Sequence, residues 1–390
     1  MNAAEERVVA RLRDAAGAVG ETVGEVPPFP EACRTKWWAP VLAAVAVVVT
    51  AAVVTAGVGA VAVGRAPEYF AVGDEHDVVF RRSDTGQETG RFPVPEPGLR
   101  FGLLASARDG FYVSASADAC ATRFFRVRLG PGGEVARAEP LTVELPEGTR
   151  PVSLAVSADG ARLAYGLSGC PGAGADGVER LGVTDLTGGG SRIFASRRQG
   201  MVGRLSVTGD GRSVAFQRVE AGVTLSAVDG REVPEGTVAG TAGRRWWEPV
   251  FDVKSDISEV WVLDVGAVGT GTGGGDLGVA RRVGLRPAPD APTGMHGVRI
   301  SADGRSFTAA LGPVRSDGKG TGVIVRFDAG DGGQTEVLHR DGTSGLRLLG
   351  GDASGDHPLV LRGDEIGTVG TDGYRTLLRL REPEGVRIAW

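Results

Sequence analysis

Lysine is almost missing from the 390 residues: Lys36, Lys254 and Lys319 are the only three. The formal net charge is -5, and no basic stripe interleaved with aromatics is present. The electrostatic footprint of a nucleic-acid-binding domain is therefore absent, and no nucleic-acid partner is expected. Histidine is nearly as scarce, at four residues (His76, His296, His339 and His357), none paired at metal-ligand spacing. The alternating oxygens of Asp352, Ser354 and Asp356 fit a turn better than a calcium loop. Catalytic signatures are lacking too. The segment Gly166-Leu-Ser-Gly-Cys170 misses the nucleophile-elbow spacing. The Gly318-Lys319 pair has the wrong surroundings for a P-loop, and Gly269-Thr-Gly-Thr-Gly273 lacks the strand-then-helix context of a dinucleotide site. No cofactor, metal or catalytic residue is expected.

One long stretch lacks charge altogether. Residues 39–63 read APVLAAVAVVVTAAVVTAGVGAVAV. As a helix this run rises roughly 37 Å at about 1.5 Å per residue, enough to cross a ~30 Å hydrocarbon core with some tilt. Trp37 and Trp38 stand where an interfacial anchor belongs. Arg34 and Lys36 precede the run, whereas Arg65 is followed by Glu68, Asp74, Glu75 and Asp77. The positive side predicts a cytoplasmic N-terminus. Ala60-Val61-Ala62 resembles a cleavage site, but the apolar run is too long and starts too late for an ordinary signal peptide. Residues 37–64 are read as an uncleaved signal anchor in a cell membrane, with lipid contacted through 39–63.

The 36 residues before it form a separate tail. Val8, Leu12, Ala15, Val19 and Val23 recur at spacings of three and four, with Arg7, Arg11, Arg13 and Asp14 between them. That is an amphipathic helix, ended by Val26-Pro27-Pro28-Phe29-Pro30. It is read either as a docking helix for a cytoplasmic regulator or as a juxtamembrane helix without a partner.

What the chain has in excess is glycine, 63 residues, with no collagen-like period, which signals many turns and so many short strands. From about residue 67 the sequence repeats an apolar run, a Ser/Thr-x-Asp-Gly turn and a second apolar run. Clear copies turn at Gly160, Gly211 and Gly304, and weaker ones at Gly110 and Gly355. Asp-Gly between two β-type runs marks a hairpin. A third strand follows each hairpin, as in Val260-Trp-Val-Leu-Asp264, and then a weaker fourth. Four antiparallel strands per roughly 50 residues make a propeller blade. At the start, Tyr69–Val72, Asp77–Phe80 and Arg91–Val94 supply three strands without an inner one, and Gly385–Trp390 supplies a lone strand at the end. Pairing them closes the ring. The fold predicted for 67–390 is an all-β, six-bladed propeller, with seven blades as the alternative, since the interval from Gly211 to Gly304 is nearly twice the others. Residues 220–258 are read as an insertion there.

The SADG turns at 157–160 and 301–304 carry a resemblance to WD40-like and TolB-like β-propeller repeats, and more closely to membrane-anchored WD40-repeat-type proteins of actinobacteria. The Gly-His and Trp-Asp dipeptides of true WD40 blades are absent. The resemblance implies a propeller architecture and no particular partner or activity.

Cys120 and Cys170 each follow their turn glycine by ten residues. Equivalent loops of adjacent blades lie side by side, which predicts a Cys120–Cys170 disulfide in an oxidising compartment. Within 220–258, Arg244, Arg245, Trp246 and Trp247 combine the residue types favoured at binding hot spots; they are read as a binding patch or as a plug packed on the propeller. The function expected is a membrane-tethered, extracytoplasmic module that binds a protein or envelope ligand through its end loops and signals to a cytoplasmic partner. The competing expectation is a hydrolase or lyase with its site in the central channel.

Overall fold

The computed structural model describes residues 66–390 apart from 118–119, 171–176, 189, 221–258, 267–273, 314–319, 343–344, 353–356, 371–372 and 381–386. The tail 1–36, the run 39–63, the Arg244–Trp247 patch, and Ser354 and Asp356 lie outside them. Among the described residues no helix is long and apolar enough to cross a membrane.

The chain from Ala66 onward is built from strands. The first sheet joins β1 (Tyr69–Gly73), β2 (Asp77–Arg82) and β3 (Glu88–Pro93) to β24 (Arg387–Ala389) in the order β24-β1-β2-β3. The second runs β4 (Arg100–Ala107), β5 (Gly110–Ser116), β6 (Thr122–Leu129) and β7 (Val135–Leu141). A long sheet follows. It comprises β8 (Thr149–Val156), β9 (Arg162–Gly169), β10 (Val178–Asp185), β11 (Ser191–Val207), β12 (Ser213–Glu220), β13 (Glu259–Asp264) and β15 (Arg281–Gly284), with the two-residue β14 (Gly275–Asp276) parallel to β11. Two four-stranded sheets complete the set: β16 (Gly294–Ile300), β17 (Ser306–Gly312), β18 (Gly322–Asp328) and β19 (Gln334–Asp341), then β20 (Leu346–Gly351), β21 (Pro358–Arg362), β22 (Glu365–Gly370) and β23 (Gly373–Arg379).

Apolar cores lie between neighbouring sheets and follow one another in a circle. Phe80 and Val78 of the first sheet meet Phe111, Val113 and Phe125 of the second, with the Phe80 and Phe111 rings 5.0 Å apart. Tyr112 and Phe124 meet Leu163, Tyr165 and Leu167. Leu181 and Val183 meet Val214 and Phe216, and Val260 and Val283 meet Phe307 and Phe327. Ala310 and Ile324 meet Leu346 and Val360. Leu359 and Ile366 return to Phe70 of the first sheet. Each fully buried Phe or Leu removes roughly 1.5–3 kcal/mol worth of apolar surface from water, so every sheet is held from both faces. The ring is sealed where β24 pairs with β1, through Ala71↔Ala389, Val72↔Ile388 and Gly73↔Arg387. This is the closure expected from the two incomplete ends of the sequence.

The repeated turn is explained by its hydrogen bonds. In the copy at 157–162, the Ser157 hydroxyl donates to Asp159, Ala161 N–H donates to the Asp159 carboxylate at 3.0 Å, and Arg162 N–H donates to Ser157 Oγ at 2.9 Å. Gly160 supplies the left-handed φ of +71°. The same bonds recur around Thr208 and Asp210 and around Ser301 and Asp303. Burial raises the Asp303 pKa, but the Ser301 hydroxyl, the Arg305 N–H and the Arg305 charge outweigh it and hold the carboxyl below its ordinary range. Neighbouring turns also touch: Gly209 N–H donates to Ala302 O at 2.7 Å, and Arg162 reaches Gly211 O at 3.0 Å.

The blade count needs correction. Among the described residues four separate four-stranded sheets are present, not six or seven blades, and the remaining strands form one continuous eight-stranded sheet. The cause is β11, whose residues 191–199 pair with β10 and residues 200–207 with β12. Prolines stand in three other connections from an outer strand to the next inner one, Pro95 and Pro97, Pro146, and Pro287 and Pro289, where a residue without an N–H ends a ladder; the β19–β20 connection has no proline and carries Gly342 and Gly345 instead. Ser191–Val207 has no proline, and the chain passes from the outer edge of one half to the inner edge of the next as a single strand.

Candidate functional site: the central channel

The innermost strands converge on a cavity of about 140 Å³ lined by residues 104–106, 154–156, 204–206, 297–299, 348–351 and 388–390. Each set comes from a different inner strand: β4, β8, the second half of β11, β16, β20 and β24. Five of these strands carry a register shift at mid-length: between Phe101 and Leu104, Pro151 and Ser153, Gly203 and Ser206, Met295 and Val298, and Leu348 and Gly350. A bulge bends its strand and re-aims a side chain. The amides it removes from the ladder need other partners. Leu103 N–H, in the β4 bulge, donates to Ser114 Oγ at 2.8 Å; Ile300 N–H of β16 donates to Ser206 Oγ of β11 at 2.9 Å.

The wall is mainly aliphatic, with two cations. Arg204 sits in the β11 bulge at φ +47°, and is the one described non-glycine residue with positive φ. Its guanidinium donates to Gln217 Oε1 at 3.0 Å and to Met295 O at 2.8 Å, tying β11 to β16. Holding a branched backbone there costs on the order of 1–3 kcal/mol, and the two bonds offset part of it. Arg299 is half-buried and donates to Gly351 O at 2.6 Å, tying β16 to β20. Burial pushes its pKa down, and the nearby Asp352 charge opposes that shift. Asp352 is itself buried, and its Oδ1 accepts from His357 N–H at 3.1 Å. Among the described residues no acidic or histidine side chain lines the cavity.

A second polar cluster joins β10, β11, β12 and β13. Arg218 Nε is 3.3 Å from Glu179 Oε2, with side chains 7% and 2% exposed. Ser196 donates to Glu179 at 2.9 Å, Arg218 donates to Leu277 O at 3.1 Å, and the guanidinium stacks 3.8 Å above the Trp261 ring. Burial pushes the Arg218 pKa down, and the Glu179 charge counters it. A bare guanidinium would be unstable at this depth.

Of the residues singled out from the sequence, Cys120 and Cys170 are joined in a disulfide that bridges the β5–β6 and β9–β10 loops, with Cα atoms 5.8 Å apart. No group of His, Cys, Asp and Glu side chains that could hold a metal occurs among the described residues. Arg204 and Arg299 were not anticipated as site residues. The available signal was a charge inside an otherwise apolar inner strand.

Sheets arranged around a channel, cores between every neighbouring pair and closure by the final strand define a β-propeller. No protein-family model matches the chain, and no curated protein matches it. Solved structures do. TolB from Acinetobacter baumannii is 14% identical with a TM-score of 0.49, over 84% of this chain and 67% of that one. A putative TolB from Agrobacterium tumefaciens is 15% identical with a TM-score of 0.44, over 81% and 90%. A chain of a nidogen/laminin complex is 10% identical with a TM-score of 0.46, over 82% and 97%.

Proposed function

We propose that this chain is a membrane-tethered, extracytoplasmic β-propeller that binds a protein or cell-envelope ligand. Residues 39–63 form its span, and the tail 1–36 contacts a cytoplasmic regulator. The observation that carries the binding role is the channel wall: aliphatic residues, Ser106, Ser206 and two arginines, with no acid–base side-chain pair among the described residues. Hydrolysis or elimination calls for a positioned proton donor and acceptor, so the wall favours recognition over the hydrolase or lyase reading. The Cys120–Cys170 disulfide supports an oxidising compartment.

Affinity purification from detergent-solubilised membranes tests this, comparing the full chain with a form lacking residues 2–30. A cytoplasmic protein lost with the tail supports transmembrane signalling. Envelope proteins captured equally by both forms support binding by the propeller alone. Capture of nothing by either form overturns the binding role.

A further inference from the structure

Exposed arginines elsewhere in the sheets meet carboxylates of this chain: Arg91 is 2.6 Å from Asp77, Arg286 is 2.9 Å from Asp331, and Arg340 is 3.3 Å from Asp290. Arg197 and Arg198 differ. Both are exposed, and neither forms an ion pair with a described carboxylate. They sit in an irregularity of β11. Val178 stands opposite Gln199 and Arg180 opposite Ala195, so Glu179 alone faces residues 196–198. The bulge is built from its inner side. Ser196 is buried, and its hydroxyl donates to Glu179 at 2.9 Å and accepts the Arg198 N–H at 3.0 Å. Glu179 is matched to Arg218, which leaves Arg198 as the surplus cation. Its guanidinium carbon lies 5.7 Å from the centre of the Trp261 ring, over which Arg218 lies at 3.8 Å. Burial is what most disfavours the Arg218 cation; Glu179 counters it, Arg198 adds to it, and Asp276 counters it least.

Two guanidiniums at one ring repel each other, and an anion beside Arg198 relieves that repulsion. Trp and Arg are also the residue types enriched where binding energy concentrates. The bulge stands at one end of the ring. Gly200 N–H donates to Gly177 O, at the β9–β10 loop that carries Cys170. The chain enters the ring at the other end, where β1 starts and Tyr69 donates to Pro131 O in the β6–β7 turn. We propose that the 196–198 bulge is the docking surface for an acidic segment of a protein partner, whose carboxylates meet Arg197 and Arg198 beside the Trp261 indole. This rests on the reading of the propeller as a binding module and names its surface and the chemistry of its partner. Charge complementarity selects the occupant, and the Ser196 bond fixes the main chain of Arg198 beforehand, so less freedom is lost on docking.

The test uses the full chain in a neutral sugar detergent and a fluorescein-labelled hexaglutamate peptide followed by anisotropy, with labelled hexalysine as the control of sign. Hexaglutamate should bind, hexalysine should not, and affinity should fall as salt rises. Arg197→Gln combined with Arg198→Gln should weaken binding roughly tenfold, about threefold for each exposed ion pair lost. Arg212→Gln, an exposed cation on the turn after β11, should keep it. The thermal midpoint separates docking from a structural role: Arg198→Gln should leave it unchanged or higher, since it removes the repulsion on Arg218. A lowered midpoint assigns Arg198 to the fold and overturns the proposal. So does a flat hexaglutamate titration, or equal binding by the wild type and the double variant. Dihexanoyl phosphatidylglycerol, added as monomers and read by tryptophan fluorescence, covers the remaining occupant: binding of this lipid through Arg197 and Arg198, with none of hexaglutamate, overturns the proposal in favour of a headgroup site. If a partner is captured from membranes while hexaglutamate does not bind, this inference fails and the binding role stands. If hexaglutamate binds through the two arginines and nothing is captured, the docking surface stands and the tether-and-capture reading fails alone.

Discussion

Gly160 and Gly304 occupy the same position in the same turn, with φ of +71° and +72°, yet their surroundings differ. A Cβ on Gly304 would meet only Thr208 Cγ2, at 3.3 Å. A Cβ on Gly160 would lie 2.4 Å from Asp109 Oδ1 and 2.7 Å from the Tyr112 hydroxyl. Alanine at either site bears the left-handed cost of about 1–2 kcal/mol. At Gly160 the methyl must also displace the Asp109 carboxylate, which accepts from the fully buried Tyr112 at 3.0 Å and from Arg126 at 3.3 Å. Losing a hydrogen bond to a charged group adds about 1.5–3 kcal/mol. Gly304→Ala should therefore lose about 1–2 kcal/mol and Gly160→Ala about 2.5–5 kcal/mol. Urea unfolding of the full chain in detergent, followed by tryptophan fluorescence, reads the difference. In a Tyr112→Phe background the excess at Gly160 should shrink, because the displaced partner is already gone. Equal losses at the two glycines, or an excess untouched by Tyr112→Phe, would refute the claim that neighbouring turns are coupled through Asp109.

Three further outcomes are expected. Replacing both cysteines with serine should cost about 4 kcal/mol, from the loop entropy of a 50-residue separation, read as a lower urea midpoint that matches the reduced wild type. Glu365 is held at about 2, below its ordinary 4.5, by hydrogen bonds from Arg379 and then Arg362. Its contribution is whole above about pH 4.5 and is lost as pH falls toward 2, so Glu365→Gln should flatten the acid limb of a stability-versus-pH curve in that window. Arg218→Met alone should cost about 3–5 kcal/mol by stranding Glu179, whereas Arg218→Met with Glu179→Met should recover much of it; denaturant midpoints of the three chains decide.

The turns and the closure were legible because they depend on short local signals. Ser157, Asp159 and Gly160 make their bonds within six residues, so three letters announce the geometry. The unfinished start at Tyr69 and the surplus strand at the end announced each other by subtraction. Cys120 and Cys170 were legible because both sit ten residues beyond their turn glycine. The continuity of β11 was not: Ser191–Val207 lacks proline, but so does the β19–β20 connection at 342–345, where the sheets do separate, so a missing proline alone is no signal. Arg204 and Arg299 were hidden for a different reason. Whether a strand residue faces the channel depends on the bulge beside it, and a bulge is a tertiary compromise between sheets with no fixed sequence mark.

The β1–β24 pairing also dictates when the molecule can become whole. Each other sheet is assembled from neighbours along the chain, and its strands can meet soon after they are made. The first sheet must wait for residues from the far end, and the entropy of closing so long a loop opposes their return. Until then β1 presents an open edge and the last core, around Phe70, has one wall. The rate of maturation is thereby assigned to three residues, Arg387–Ala389, and so is resistance to unravelling: the ring opens most readily by parting that one short seam.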